Sequence, residues 1–137
     1  MEWAFCLQKI IEYARKYYTI EKRENIEGRA WLLQIELLWY SESTETLLCY
    51  IEEAIGCFAG ASGIGFMGEL RFVKAKLLWR EHGIAADAED MEAMRQMSMR
   101  ECMMAYSIFE ALQQEDKLKE IEAFCDGELK WHITTQI

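Results

Sequence analysis

The sequence predicts an all-α protein: one helical domain over residues 1–137, a bundle of five or six helices, with a short C-terminal strand as the only expected exception. Three observations predict this. The 137 residues contain no proline, so few hard helix breaks exist. Apolar side chains recur at three- and four-residue spacing through most of the chain, the period of a helix face. The breaks between these stretches carry glycine or helix-capping residues, as in Ser41-Glu42-Ser43-Thr44, Gly60 to Gly65, and Asp87.

The elements follow in order. Residues 2–18 place Trp3, Leu7, Ile10, Ala14, Tyr17 and Tyr18 on one face, with Glu12, Arg15 and Lys16 opposite. Residues 24–40 are apolar on two faces. Ile26, Ala30, Leu33, Leu37 and Tyr40 line one, while Trp31, Leu32, Ile35, Leu38 and Trp39 line the other. Such a helix is central or lies at an interface; a strand through residues 33–37 competes, because those residues also alternate. A third helix runs from about Thr44 to Phe58 and buries Leu47, Leu48, Ile51 and Ile55. A fourth runs from Glu69 to Glu81 on Leu70, Val73, Leu77 and Leu78, with Gly83 as its cap. Asp87 caps a fifth that reaches Leu112, and Gln113 to Phe124 continues on Leu118, Ile121 and Phe124 until Asp126-Gly127 ends it. The tail around residues 129–133 alternates like a strand, which must pair, dock or stay loose.

Composition narrows the function. Lys plus Arg is 15 against 24 Asp plus Glu, a net charge of -9, so free nucleic-acid binding is not expected. No apolar run is long enough to span a membrane, and the N-terminus lacks the basic region and cleavage site of a leader. The five cysteines (Cys6, Cys49, Cys57, Cys102 and Cys125) include no C-x-x-C pair. They read as small hydrophobes in a reducing cytoplasm, and neither a metal nor a cofactor is expected.

Gly63-Ile64-Gly65-Phe66-Met67-Gly68 spells G-x-G-x-x-G, and Arg71 and Lys74 follow it. A dinucleotide site would use such glycines to bring backbone against a pyrophosphate, but it needs a preceding strand, and residues 47–58 look helical. Tight helix packing is the simpler reading, with Gly56 and Gly60 exposing a bare stripe four residues apart. A nucleotide- or phosphate-binding enzyme built on Gly60–Gly68 is the alternative. His82 and His132 fit no metal spacing, and Cys125, Asp126 and His132 could make a nucleophile set, but proximity in sequence is no evidence for one.

Six of the eight methionines fall between Met91 and Met104, on three stripes of one helix. One buried face cannot absorb all three, so Met97, Met99, Met103 and Met104 are expected at an interface, either with a partner or in a homo-oligomer. Glu92, Arg95, Arg100, Glu101 and Glu110 are left to face water.

Residues 87–128 carry twelve acids and four bases, net -8. Glu110, Glu115, Asp116, Glu120, Glu122, Asp126 and Glu128 crowd the end of that stretch. A rigid row of carboxylates can occupy a channel that reads phosphates by charge. Small acidic proteins of mobile elements, anti-CRISPR inhibitors among them, often work in this way. The likeness is one of size, acidity and missing catalytic signature. The expected function is therefore non-enzymatic binding of a protein, one that handles nucleic acid, through these seven residues.

Overall fold

The structure, a computed structural model, describes residues 2–17, 20–58, 63–81 and 87–135. Six α-helices account for most of them: α1 (Glu2–Tyr17), α2 (Ile20–Leu38), α3 (Thr44–Cys57), α4 (Ile64–Arg80), α5 (Ala88–Ala111) and α6 (Glu115–Phe124). The chain divides into two compact units, Met1–Leu70 and Arg71–Ile137, and α4 contributes to both.

In the first unit α1 packs along α2 and α2 against α3. Among the described side chains of α1, Leu7, expected inside, and Ile11 are buried, whereas Ile10, also expected inside, is 46% exposed; Trp3, Ala14, Tyr17 and Tyr18 of the expected face lie outside the described side chains. Of the two apolar faces of α2, Trp31, Ile35 and Leu38 are buried, while Leu33, Leu37 and Tyr40 face solvent. Residues 33–37 are helical, so the competing strand is excluded. The Ser43 hydroxyl accepts the Thr46 amide at 3.2 Å and caps α3.

The fourth helix begins five residues earlier than predicted, because Gly65 and Gly68 lie inside it. Glycine packing is present, but not at Gly56, which is exposed and has nothing within 4 Å of where a Cβ would sit. Close approach falls to Gly28, whose Cβ would collide with the Phe66 ring, and to Gly63, whose Cβ would lie 2.9 Å from Phe58 Cβ. Gly60 and Gly83 lie outside the described residues.

In the second unit Asp87 caps α5, accepting the Asp90 amide at 2.8 Å, and Glu89 and Asp90 favour the positive end of the helix dipole. The helix ends in a Schellman turn. Gln114 N–H donates to Phe109 O and Gln113 N–H to Glu110 O, with Gln113 left-handed at φ 57°. The chain then enters α6, which packs on α5. Phe72, Cys102, Phe109, Ile121, Leu129 and Ile133 belong to one buried cluster. The buried Ser98 hydroxyl donates to Ala75 O at 2.8 Å, fixing α5 against α4.

The expected C-terminal strand does not form. Cys125–Leu129 is a π-helical turn, Lys130 is left-handed at φ 53°, and Ile133–Thr135 is a 3-10 turn. Leu129 and Ile133, each 1% exposed, drive this docking. Their burial satisfies the hydrophobic pattern without a partner strand, so the alternation in sequence was real but was not a pleat.

Candidate acidic interface

The end of α5, the Schellman turn, α6 and the π-helical turn carry all seven predicted carboxylates, and the structure sorts them. Glu110, Glu115 and Asp116 are exposed, and no ion pair engages them among the described residues. Gln113 and Gln114 line a shallow depression together with Glu115, Asp116 and Lys117. Glu120 is exposed and lies 3.5 Å from the Lys117 ammonium. Asp126 accepts from His132 Nδ1 at 2.8 Å, and Glu128 accepts from the Trp79 indole at 3.3 Å. Glu122 is half-buried and accepts the Tyr106 hydroxyl at 2.7 Å. It is therefore an internal strut of the unit rather than a free surface charge.

Tyr106 reports the field of this cluster. Its phenol is pushed up to about 12, first by the hydrogen bond to Glu122, then by burial, then by the charges of Glu122, Glu110 and Glu115. Glu122 alone contacts this hydroxyl, and Glu110 and Glu115 act on it by charge. Glu115 and Asp116 open α6, where the positive end of its dipole favours them, but Glu110, Asp126 and Glu128 are placed unfavourably. Neither α5 nor α6 has a basic residue in its last turn. Glu110 sits there in α5, and Asp126 and Glu128 follow α6, where the negative end of the dipole opposes them.

The other candidates separate clearly. Arg71 and Lys74, the cations of the phosphate alternative, are each 3.1 Å from the Glu101 carboxylate. Glu101 was expected to face water but is 8% exposed, since the two cations from α4 draw it inward. The glycine motif supplies helix, not loop, from Ile64 onward. Cys125 is fully buried while the Asp126–His132 pair is exposed, so the three do not form a nucleophile set. His82 lies outside the described residues.

On α5, Met97, Met103 and Met104 are 43%, 36% and 49% exposed, and Met99 packs partly buried on the inner cluster. All five cysteines are free thiols. Among the described residues, no three Cys, His, Asp or Glu side chains gather as a metal site, and no helix is long and apolar enough to cross a membrane. No protein-family model, curated protein or solved structure matches the chain.

Proposed function

We propose that the chain is a non-enzymatic binding protein that engages a basic, nucleic-acid-handling protein through Glu110, Glu115 and Asp116, with Glu120, Asp126 and Glu128 extending the charged face. The observation that carries this reading is the unneutralised convergence of carboxylates at the α5–α6 turn. At Glu110 stability alone would select against a carboxylate, because the like charges nearby and the C-terminal dipole of α5 both oppose it. A ring of basic residues on a partner would reverse that cost. Inhibition follows from competition, since the partner's phosphate-reading surface is then occupied. The cytoplasmic setting belongs to the same proposal and is supported by the five free thiols.

The test is a pull-down with wild type and with a Glu110→Gln/Glu115→Gln/Asp116→Asn variant, followed by a nucleic-acid displacement assay on whatever is retained. Each lost surface charge contact is worth about 0.5–1 kcal/mol, so three should weaken binding about 10- to 100-fold. Wild type should displace nucleic acid from the captured protein, with strong salt dependence. A partner held equally by the variant, or one that keeps its nucleic acid, refutes the reading.

The exposed methionines of α5 favour a second surface. Met97 and Met104 are seven residues apart and therefore share a face, as expected of an interface with a partner or with a second copy. Sedimentation equilibrium with wild type and Met97→Glu/Met104→Glu tests the homo-oligomer.

A further inference from the structure

The α5 helix has an inner and an outer face. Ser98, Glu101, Cys102, Ala105, Tyr106 and Phe109 are buried. Ala93, Met97, Arg100, Met104, Ser107 and Ala111 are all exposed. The spacing of this outer set alternates four and three residues, the period of a coiled-coil seam, and keeps it within about 40° of one line along the helix. Ala93, Ser107 and Ala111 are small enough to let a second helix approach closely. Met103 borders the seam on one side, and Glu110 lies on that same side one heptad later; both are exposed. Arg100 is the one charge in the seam, and no ion pair engages it or Glu110 among the described residues. The two are ten residues apart, about 15 Å along the axis, and long helical side chains all lean towards the N-terminus, so they do not meet within one chain.

We propose that this face binds a second copy of the chain, the two α5 helices running antiparallel across a two-fold axis near Cys102 and Met103; the dimer rests on the exposed methionines being an interface. In that register Ala93 faces Ala111 of the second copy, Met97 faces Ser107 and Arg100 faces Met104, and the two-fold axis makes each contact twice. Antiparallel helices have opposed N-termini. Arg100 and the second copy's Glu110 therefore lean towards each other across the six residues, about 9 Å, that separate Glu110 from the Met104 level. A parallel pair leaves them about 15 Å apart and leaning the same way. The antiparallel dimer thus supplies two ion pairs to charges that have none within the chain, and a single charged residue in a seam fixes its register. Any apolar surface covers methionines, but this chain already carries both the base and the acid that complete the face. One helix face per copy gives an interface at the small end of the specific range, about 1,200 Å² or less in total, so a micromolar dissociation constant is expected. Dimerisation withdraws Glu110 from the acidic face.

The experiment is sedimentation equilibrium of the full chain under reductant. Salt is held at about 0.15 M, where the net charge of -9 per chain is screened beyond about 8 Å while charges in contact still interact. Wild type should dimerise with a micromolar constant. Arg100→Glu and Glu110→Arg each set like charges together at both contacts and should weaken dimerisation about tenfold or more. Glu110→Arg should do so although it reduces the magnitude of the net charge. An equimolar mixture of the two variants should recover association, because each mixed dimer holds an opposite-charge pair at both contacts. Both residues are exposed, so the fold should survive, and circular dichroism checks it. Wild type that stays monomeric at about 100 μM overturns the dimer and leaves the methionine face to a different protein. A dimer that Met97→Glu/Met104→Glu dissociates, but that the single charge reversals leave intact or the mixture fails to recover, keeps the face as an interface and overturns the antiparallel pairing. A dimer that survives Met97→Glu/Met104→Glu overturns both.

Discussion

Replacing Tyr106 with Phe removes one hydroxyl and tests the coupling of α5 to α6 directly. The hydroxyl donates to Glu122 Oε1 at 2.7 Å, and the phenol is raised from 10 to about 12. If the whole rise were realised as folding free energy it would amount to about 2.7 kcal/mol, at 1.36 kcal/mol per tenfold change. Hydrogen bonds to charged groups measure about 1.5–3 kcal/mol. Glu122 is only half-buried, so water replaces the lost donor in part, and the lower end applies. Tyr106→Phe should therefore cost about 1.5 kcal/mol, read as a lower urea midpoint at unchanged slope or a melting point lower by about 5 °C.

The sign of the pH dependence is fixed by the same contact. The folded phenol ionises later than the unfolded one, so this stabilisation is complete below pH 10 and is lost as pH rises towards 12. Wild type should lose its advantage over Tyr106→Phe across that window, which cancels the contribution of the other tyrosines. Two results refute the reasoning: a cost below about 0.5 kcal/mol at neutral pH, or parallel alkaline profiles for the two proteins.

Other outcomes follow from single residues. Gln113→Gly should stabilise by about 0.5–1 kcal/mol in urea unfolding, because the left-handed C-terminal turn of α5 no longer carries a Cβ. Gly56→Ala should stabilise by about 0.5–1 kcal/mol, since the site is helical and open, whereas Gly63→Ala should destabilise, because its Cβ meets Phe58 at 2.9 Å. Glu101→Ala should cost about 2–4 kcal/mol by leaving Arg71 and Lys74 together without their carboxylate, and Arg71→Met/Lys74→Met/Glu101→Leu should recover much of it. Both are read from denaturation midpoints.

Most of the fold was legible because helix periodicity and cap residues are local signals. Ser43 and Asp87 marked the starts of α3 and α5 by residue type alone, and both side chains make the expected bonds. What failed was long-range. Gly56 and Gly63 are indistinguishable in sequence, and only the position of Phe58 decides which one is packed. Leu129 and Ile133 alternate as a strand would, but a period of two over five residues also fits a chain that drops two anchors into a cluster while turning. Nothing local distinguishes a pleat from such a turn.

The acidic block was legible as a block but not as individual residues. Glu101 and Glu122 look like their exposed neighbours in sequence. One lies opposite two cations on α4, and the other meets a tyrosine sixteen positions away. The signal that could have separated them is helical phase. Glu101 shares its side of α5 with Ser98 and Ala105, both buried, and Glu122 follows Leu118 by one turn of α6. Glu110 falls off that buried side, and Glu115 and Asp116 open α6 before its first buried residue, so the same rule leaves all three outside. Partner binding should therefore be insensitive to Glu122→Gln beyond its cost in stability, and sensitive to Glu110→Gln, Glu115→Gln and Asp116→Asn. Stability should change the other way. Neutralising Glu110 relieves repulsion at the end of α5 and should raise the urea midpoint by a few tenths of a kcal/mol, about the value of one charge at a helix terminus. A Glu110→Gln protein that is less stable than wild type yet binds normally would show that this carboxylate serves the fold and not a partner.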